Sequence, residues 1–569
     1  MKKYSLFIIG LFFLLVGCLE DETTFGDQEI WTVDTVYLTD LNTGNKQKVN
    51  QGAMASFYSD PGKEFQIAAH GVYEGNEKVH FRWCLLDGTE VSDRDTLRYT
   101  FTAEQLQESN NIVMLYAYRG DKEAANVYQV GFSLNNPFGT GLVVLAKEGG
   151  NTVLDFCPRR REAKRMEFFD GKEYNISFYS YPIQENVFAA NNDGEALRMT
   201  SPLNISYAQG AYAYPLPDPL KAIHLLDANW KNSIAIDLNG MKKMVYLEDE
   251  FLEMPDEEVV ARDFKTIGAM SLLHLENGEI YTRVNYDRGN PCTGKFLPIP
   301  LTCKDQNNPA KAAETILATR IAQQVGGTNW CVVFEKDKKR FLVVTASDGS
   351  SGTWSAPIDY CGVFDFNNPS KAYPEGAVPM NNFDKDIRFF FVDPGYEAKL
   401  HVIYKDNDGY YLQTCNLNLN TYSSVHTFSF TVEAAPIKLS AATQQLLEQE
   451  RCVLTENPSG LSSPAIFLSV GNEIYSLDLF NGDVDVFIEI EEAKGNDIVQ
   501  VRRLVPWMTV SGNGAANAYF GGRFLAVAFS NGDLKIIRNY DDPRDPNNTH
   551  YEVITEKHYD GGIVDMLYY

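Results

Sequence analysis

Apolar and polar residues alternate along the first part of the chain with the two-residue period of a half-buried strand. From Ile30 one face carries Trp31, Val33, Thr35 and Tyr37, and the other carries Thr32, Asp34, Val36 and Leu38. Similar runs follow at 79–86, 112–118 and 128–132, and the run at 112–118 is apolar enough for burial on both faces. Because glycine, aspartate and asparagine turns separate these runs, residues 30–135 are predicted to form an antiparallel β-sandwich.

A second pattern begins after the turn cluster at 135–139 and consists of an apolar strand, a tight polar turn and another strand. It occurs seven times, at 142–145 with 152–156, 233–237 with 243–247, 272–275 with 279–284, 331–334 with 340–344, 401–404 with 410–414, 465–469 with 473–477, and 524–529 with 533–537. Most of the turns hold Asn-Gly, Asp-Gly or Gly-Gly, the pairs that favour two-residue hairpins because both turn residues need positive φ. The tract is therefore predicted to be a series of β-hairpins.

Repeated hairpins in one long tract favour a repeat architecture. From the third unit onward they recur at steps of about 60 residues, which suits one four-stranded blade each. Closing such blades into a ring protects their edges, so residues 138–569 are predicted to form a β-propeller. Seven blades are expected, with eight as the alternative because the first gap is uneven. The predicted fold class is all-β.

Two helical insertions are predicted within the repeat. Asn308-Pro309 and Gly326-Gly327 supply the start and stop signals of the first. Between them, apolar residues recur with helical spacing at Ala312, Ala313, Ile316, Leu317, Ile321 and Val325. A shorter helix is predicted from its capping residue Ser440 to Arg451. Insertions of this kind are candidates for function, because loops on a rigid scaffold often carry it.

The first 18 residues have a different character from the rest of the chain. Lys2 and Lys3 give a positive start, residues 6–16 are apolar except for Gly10, and small residues precede Cys18. These features are typical of a secretory signal, and the apolar run is too short to span a bilayer. The ending Leu-Val-Gly-Cys resembles a bacterial lipobox, which implies that Cys18 is lipidated and begins the mature chain. An ordinary signal peptide with an incidental cysteine is the alternative.

An acidic cluster, Glu20-Asp21-Glu22, follows inside the predicted tether at 19–29. It resembles the signal that directs lipoproteins of Bacteroides-type bacteria to the outer face of the outer membrane. That resemblance implies an outer-membrane protein that faces the cell exterior. A solvated tether without signalling value is the alternative.

Composition and cysteine usage limit the classes of ligand and partner that the protein can bind. The formal net charge of −26 argues against nucleic acid, which binds basic surfaces. The cysteines beyond Cys18 are scattered and form no C-x-x-C pair, so we predict neither a metal site nor a cofactor. Cys292 and Cys303 flank a proline-bearing loop and could pair as a disulfide in an oxidising compartment.

The sequence contains none of the common catalytic signatures. No H-E-x-x-H, G-x-S-x-G, phosphate-binding or dinucleotide-binding motif is present, so no catalytic residue is predicted. Four tryptophans lie near the edges of predicted blades, namely Trp230, Trp330, Trp354 and Trp507. They are candidates for stacking on a sugar ring or a peptide, with core packing as the alternative.

Several segments together resemble one known family. The sequence Phe81-Arg82-Trp83 with Asp87-Gly88 is similar to a strand and turn of PKD-like, immunoglobulin-type domains, although the longer aspartate and glycine pattern of many such domains is absent. With the lipobox, the start at 141–145 and the ending at 559–565, the chain resembles PKD-like lipoproteins of Bacteroides-type bacteria. The resemblance implies a locus that also encodes a TonB-dependent transporter and a SusD-type lipoprotein. It supplies no catalytic residues.

Three functions are consistent with these features. The first is a non-catalytic surface protein that binds a glycan or peptide for uptake by an outer-membrane transporter. The second is a lipid-anchored hydrolase of glycosidase type, with carboxylates about 5–10 Å apart in the propeller centre. The third is an assembly component that binds another envelope protein.

Overall fold

The computed structural model describes residues 33, 35–49, 54–60, 62–72, 78–101, 111–120, 125–134, 137–161, 165–176, 179–210, 220–253, 260–287, 289–303, 312–323, 329–346, 361–393, 398–420, 427–456, 465–508, 522–541 and 549–569. Most of the secondary structure is β-strand. None of the helices within these ranges is long and apolar enough to cross a bilayer. The chain divides into two compact units, Met1–Leu134 and Asn135–Tyr569. The signal segment with Cys18 and the tether at 19–29 lie outside the described residues.

The first unit contains two sheets. Its strands are β1 (Thr35–Asp40), β2 (Lys46–Val49), β3 (Ala55–Ser59), β4 (Phe65–Val72), β5 (Val79–Leu85), β6 (Glu90–Ser92), β7 (Thr96–Tyr99), β8 (Ile112–Arg119) and β9 (Ala125–Leu134). One sheet has the order β2-β1-β4-β7 and the other β3-β9-β8-β5-β6. All neighbours are antiparallel except β3 and β9, which are parallel.

The two sheets pack through aromatic side chains. Phe65 on β4 meets Phe132 on β9 edge-to-face, with ring centroids 4.8 Å apart. Trp83 on β5 is fully buried, and its indole N–H donates to the Arg94 carbonyl at 3.0 Å. Strand β8 buries only alternate residues, so the expectation that both of its faces are buried is wrong. The other face of β8 is half-buried because it carries tyrosines and Met114 rather than a second apolar layer.

The second unit begins with sheet 1, the first of seven sheets that have three to five strands each. Its first strands are β10 (Gly141–Glu148) and β11 (Asn151–Pro158). Smaller elements follow, namely β12 (Arg160–Arg161), β13 (Arg165–Phe169), β14 (Lys172–Ile176), β15 (Tyr179–Ser180) and helix α1 (Val187–Asn191). Sheet 2 contains β16 (Pro202–Gln209), β17 (Lys221–Asp227), β18 (Ile234–Asp237) and β19 (Lys242–Tyr246). Sheet 3 contains β20 (Ala261–Ile267), β21 (Met270–Leu275) and β22 (Ile280–Val284).

The remaining sheets follow in chain order. The short strands β23 (Thr302–Cys303) and β24 (Glu314–Thr315) precede sheet 4, which has β25 (Ala318–Ala322), β26 (Trp330–Glu335), β27 (Arg340–Ala346) and β28 (Cys361–Asp365). Sheet 5 has β29 (Asp386–Val392), β30 (Lys399–Asp406), β31 (Gly409–Asn420), β32 (Thr427–Thr431) and β33 (Ile437–Lys438). After helix α2 (Ala441–Leu447), sheet 6 has β34 (Val453–Glu456), β35 (Ala465–Val470), β36 (Glu473–Asp478) and β37 (Val484–Glu489). Sheet 7 has β38 (Ile498–Met508), β39 (Gly522–Phe529), β40 (Asp533–Asp541) and β41 (Thr549–His558). The last strand is β42 (Ile563–Tyr568).

Each sheet packs on the next through an apolar cluster, and sheet 7 packs on sheet 1. The run of buried residues on β10 explains how. Leu142 and Val144 belong to the cluster shared with sheet 7, whereas Val143 and Leu145 belong to the cluster shared with sheet 2. A strand between two neighbouring sheets is buried on both faces, which is why its sequence is continuously apolar. The seven sheets therefore follow one another in a closed cycle.

The C-terminal strand completes this cycle. β42 pairs antiparallel with β10, so sheet 1 has the order β11-β10-β42 and contains both ends of the unit. Tyr569 and Gly141 exchange backbone hydrogen bonds of 3.1 and 3.2 Å beside this pair. The first sheet is thus made by the beginning and the end of the same unit.

All seven predicted hairpins are present. The turn expected at Asp408-Gly409 lies one residue earlier, because Asp406 pairs with Gly409 and leaves Asn407 and Asp408 as the turn residues. The turn geometry differs from the expectation in part. In Asn277-Gly278 and Asn531-Gly532 only the glycine has positive φ, at 94° and 92°. Each asparagine side chain instead accepts a hydrogen bond from the backbone N–H two residues later, as in an Asx turn.

The uneven first gap in the repeat has a structural cause. In sheet 2 the predicted hairpin joins the third and fourth strands, β18 and β19, whereas in the other six sheets it joins strands equivalent to β10 and β11. The second strand of sheet 2, β17, went unrecognised in the sequence. An eighth sheet of this kind does not occur among the described residues.

The first helical insertion was predicted wrongly, and the second is confirmed. Residues 304–311 and 324–328 lie outside the described residues, but the segment between them contains strands β24 and β25. The register of β25 against β26 shifts between Ala318 and Ile321, so extra residues interrupt the alternation and imitate a helical spacing of apolar residues. Helix α2 begins at its cap Ser440, whose side chain accepts from the Thr443 N–H, and ends at Leu447, before Arg451.

Candidate functional site

The strands at the centre of the cycle are those that touch the equivalent strand of the neighbouring sheet. We call these the inner strands: β42, β16, β20, β25, β29, β34 and β38. Side chains on one inner strand bond to the backbone of the next. Asn204 Nδ2 donates to the Arg262 carbonyl at 2.6 Å, and Arg502 Nε donates to the Met566 carbonyl at 2.6 Å. Sheets that are arranged in a ring meet at their inner edges, so these strands surround the centre of the unit.

Six of the seven inner strands carry a β-bulge near their beginning, and β34 pairs without a register shift. We call the extra residues the bulge ring: Leu203, Arg262, Thr319 with Arg320, Arg388, Val499 and Val564. A bulge interrupts the ladder and redirects a side chain, and bulges are over-represented beside functional sites. The same strand irregularity therefore recurs on six inner strands, at one end of the central region that these strands surround.

The bulge ring exposes a mixture of cationic and apolar side chains. Arg262 and Arg388 are exposed, and Leu203 and Val499 are 40% and 36% exposed. Arg320 is half-buried, with its guanidinium 4.1 Å from the centroid of the Phe389 ring. These three arginines place positive charge at the bulge ring, although the chain as a whole has a net charge of −26. Such a surface suits a ligand that has acidic groups on an otherwise neutral frame.

Two carboxylates on the inner strands hold neighbouring sheets together. Asp565 accepts from the Ile205 N–H at 2.8 Å and from Arg502 Nη2 at 3.0 Å. Asp263 accepts from the Ser206 hydroxyl at 2.9 Å. These two acids are thus engaged in contacts that join neighbouring sheets.

A second cluster of ionisable groups lies between sheets 2 and 3. His224 is on β17, Glu250 ends a 3₁₀ turn after β19, Arg283 is on β22, and Cys292 follows in a loop. His224, Glu250 and Arg283 are almost completely buried, at 1%, 2% and 1% exposure. Arg283 Nη1 bonds to Glu250 Oε1, and Arg283 Nη2 donates to the Pro291 carbonyl at 2.6 Å.

The His224 ring is held by stacking rather than by hydrogen bonds. It lies against the Phe264 ring with centroids 3.6 Å apart and an interplanar angle of 14°. His224 Nε2 is 3.5 Å from Glu250 Oε2, which is longer than a good hydrogen bond. Both ring nitrogens and Glu250 Oε2 lack a hydrogen-bond partner. Each such buried polar atom costs about 1–3 kcal/mol, so three at one point require an explanation.

Burial sets the protonation of this cluster. It lowers the pKa of His224 and raises the pKa of the Cys292 thiol to about 12, so both are neutral. Burial alone would raise the pKa of Glu250, but Arg283 and His224 together outweigh that effect and the pKa lies below its usual value. The cluster thus contains one carboxylate, one guanidinium, a neutral imidazole and a neutral thiol.

The first unit has a cavity of about 660 Å³ along β4 and β5. Its polar lining includes both histidines of these strands and three charged residues of the loop between β6 and β7, namely His70, His80, Asp93, Arg94 and Asp95. The lining mixes both signs of charge and converges on no single group.

The four tryptophans that were predicted to bind a ligand lie in different surroundings. Trp230 is 2% exposed and packs edge-to-face on Phe251, so its proposed stacking role is wrong, because no face of the ring is free. Trp330 is half-buried against the cluster between sheets 4 and 5. Trp354 lies outside the described residues, and Trp507 lies on β38, where only the backbone is described. For these last three the role stays a prediction.

Cys292 and Cys303 occupy separate surroundings. Cys303 lies in the apolar cluster between sheets 3 and 4, whereas Cys292 faces His224 and Glu250. Both are thiols in the structure, and their pairing stays a prediction.

Sequence reasoning missed the His224 cluster and the bulge ring. The cluster has a signal in the sequence: His224 and Arg283 interrupt runs that are otherwise apolar and buried on both faces. Ionisable residues at such positions are rare unless they have partners. Nothing in the sequence indicates that Glu250 and Cys292 supply the rest, because long connections separate them.

Comparisons with known proteins show no family. No protein-family model and no curated protein matches the chain. Among solved structures, YCF48 from Cyanidioschyzon merolae is similar at 9% identity and a TM-score of 0.31, over 62% of this chain and 84% of that one. Human WBSCR16 gives 9% identity and a TM-score of 0.28, over 59% and 79%. The computationally designed Ika8 protein gives 9% and 0.25, over 71% and 90%. Likenesses at these scores carry no argument about function.

Proposed function

We propose that this protein is a lipid-anchored surface protein whose second unit is a seven-bladed β-propeller that binds a ligand without transforming it. The first unit, which lies between the anchor and the propeller in the sequence, is an immunoglobulin-type, PKD-like sandwich. The ligand is an acidic glycan or peptide, bound at the bulge ring. The observation that carries the proposal is the recurrence of bulges around one end of the ring centre, with exposed side chains at Leu203, Arg262, Arg388 and Val499.

The closed cycle of seven sheets supports the propeller. Radial sheets with side-chain bonds between their inner strands, and one sheet built from both ends of the unit, are features of that fold. The paired sheets of the first unit, with the buried Trp83, support an immunoglobulin-type sandwich.

Two exposed arginines of the bulge ring, Arg262 on sheet 3 and Arg388 on sheet 5, support an acidic ligand. A guanidinium binds carboxylate groups through paired hydrogen bonds, and the exposed Leu203 and Val499 offer apolar contact to the ligand frame. Long-range repulsion from the rest of this acidic chain would make such binding sensitive to salt.

The location rests on the sequence of the first 22 residues. A lipidated Cys18 with the acidic cluster behind it would hold the protein on the outer face of the outer membrane. There the protein would act with a TonB-dependent transporter and a SusD-type lipoprotein in glycan or peptide uptake.

The test is a binding screen with the mature chain in detergent. The probes are neutral and uronate-containing polysaccharides and acidic and neutral peptides, each followed by product analysis. We expect a uronate-containing polysaccharide or an acidic peptide to bind and to remain uncleaved. Arg262→Ala with Arg388→Ala should weaken binding at least 10-fold, whereas Arg98→Ala on β7 of the first unit should leave it unchanged.

Three outcomes would refute the proposal. Cleavage of the bound polymer would establish a hydrolase. Binding that is unaffected by the double substitution would place the site elsewhere. Capture of envelope proteins without any glycan or peptide binding would favour an assembly component.

A further inference from the structure

The His224 cluster has the ligand atoms of a metal site. One imidazole nitrogen of His224, one carboxylate oxygen of Glu250 and the Cys292 sulfur all lie within 4.8 Å of one another. Three of the candidate atoms, the two His224 nitrogens and Glu250 Oε2, are buried and have no hydrogen-bond partner. Unpartnered buried atoms that face each other indicate that something is bound between them.

The spacing suits a tetrahedral ion better than a hydrogen bond. Ligand bonds of about 2.0–2.3 Å at tetrahedral angles set the ligand atoms roughly 3.3–3.8 Å apart. His224 Nε2 and Glu250 Oε2 are 3.5 Å apart, which is within that range. The Cys292 sulfur, on a loop, lies within 4.8 Å of a ligand atom of each of these residues and offers the third position.

Arg283 leaves the correct carboxylate oxygen available. It bonds to Glu250 Oε1 and fixes the carboxylate, so that Oε2 faces His224. A partner that orients a ligating carboxylate from behind is typical of protein metal sites. Stacking on Phe264 fixes the imidazole in the same way, without occupying either of its nitrogens.

A divalent ion here would meet two negative charges, the Glu250 carboxylate and a thiolate at Cys292, beside the Arg283 guanidinium that bonds to Glu250. Metal binding would release the thiol proton, because a coordinating thiol is deprotonated.

We propose that His224, Glu250 and Cys292 bind a zinc ion between sheets 2 and 3, as three of its four ligands. The mixed nitrogen, oxygen and sulfur set favours zinc over calcium or magnesium, which prefer oxygen ligands alone. The ion would join β17 and the 3₁₀ turn of sheet 2 to the loop after sheet 3. This proposal is independent of the ligand site at the bulge ring.

The test measures metal content, stability and a spectrum on the mature chain in detergent. Zinc per chain is determined by mass spectrometry of the purified protein, and thermal melting is followed with zinc and with a strong chelator. Replacement of zinc by Co²⁺ reports the sulfur ligand through its thiolate-to-cobalt absorption band. We expect one zinc per chain, a lower melting temperature in chelator that zinc restores, and the thiolate band.

Matched variants identify the ligands. Cys292→Ser should abolish the thiolate band and weaken zinc binding at least 10-fold, whereas Cys303→Ser should do neither. His224→Gln should weaken zinc binding similarly, whereas His274→Gln should not, because His274 Nε2 already bonds to the Ala318 carbonyl at 2.8 Å.

The result that overturns the proposal is a chain without zinc whose melting is unaffected by zinc or chelator. In that case a buried water would bridge His224 and Glu250. Zinc that is retained at full affinity by Cys292→Ser and His224→Gln would also overturn it. If a variant fails to fold, the zinc content and the cobalt spectrum of the unchanged protein decide the question.

Discussion

The contact that closes the cycle between sheets 7 and 1 centres on Asp155, and its removal should be costly. Asp155 on β11 is fully buried. It accepts from Lys557 Nζ at 2.9 Å, from the Tyr559 hydroxyl at 2.8 Å and from the Asn186 N–H at 2.7 Å. Burial alone would lower the pKa of Lys557, but the bonds to Asp155, Glu185 and Glu148 together outweigh it and the pKa is raised, so the ammonium stays charged.

The cost of Asp155→Ala follows from these contacts. Removing one partner of a buried ion pair costs roughly 3–5 kcal/mol. Lys557 is 10% exposed and keeps Glu148 and Glu185 as partners, so about half of that applies. The Tyr559 hydroxyl and the Asn186 N–H lose their acceptor, which adds about 1–3 kcal/mol. We expect a total of about 4 kcal/mol.

The assay is differential scanning calorimetry. An unfolding entropy of about 2.1 cal/mol/K per residue gives about 0.9 kcal/mol/K for a unit of roughly 435 residues, so Tm should fall by about 4 °C. Glu185→Ala is the matched control, because Glu185 bonds the same lysine but is 71% exposed, and it should change Tm by less than about 1 °C. An unchanged Tm for Asp155→Ala, or equal effects of both substitutions, would refute the reasoning.

Other predictions concern a turn, a histidine and the anchor. Gly532 has a φ of 92°, and a Cβ there would lie 2.1 Å from the Tyr559 carbonyl oxygen. Gly532→Ala should therefore lower Tm much more than Gly149→Ala, whose added Cβ meets no atom within 4 Å. Equal Tm values for the two variants would contradict this prediction. Burial lowers the pKa of His274, so the unfolded chain takes up a proton near pH 6.5 before the folded one does, and stability should fall below that pH by up to about 1.4 kcal/mol per unit. In urea unfolding His274→Gln should show a smaller fall between pH 6.5 and 5, and an unchanged slope would be evidence against this origin. Cys18→Ala should abolish fatty-acid labelling and release the protein from membranes, and labelling that persists would exclude the lipobox.

The hairpins could be predicted because their information is local. An Asn-Gly turn between apolar runs specifies a hairpin within about ten residues, and Gly532 sits at such a turn with the expected positive φ. The cyclic order of the sheets could also be predicted from the sequence. Strands that are buried on both faces need a neighbouring sheet on each side, and the repeated hairpins supply those sheets. The closing strand was harder to assign, since nothing near Ile563 indicates that its partner is Gly141, more than 400 residues earlier.

The errors arose where local patterns mislead. Around Ile321 a bulge adds residues to an alternating strand, and the resulting spacing imitates a helix. Trp230 lies near the end of a strand, where a surface position is plausible, but a 3₁₀ turn directs it into the core. Neither the turn nor the bulge has a distinctive sequence. The His224 cluster needs three distant segments to meet, and that is a property of tertiary packing.

The central claim is that the second unit is a ring closed by its own C-terminal strand, and a circular permutation tests it most directly. Tyr569 and Gly141 are hydrogen-bonded neighbours, so residues 560–569 can be moved in front of Pro137 and joined to it by a short Gly-Ser linker. We expect β42 and β10 then to form an ordinary hairpin. The full permuted chain should melt in one cooperative transition within a few degrees of the unpermuted one. Loss of that transition, with a chain cleaved by protease throughout 137–559, would contradict the closure by β42.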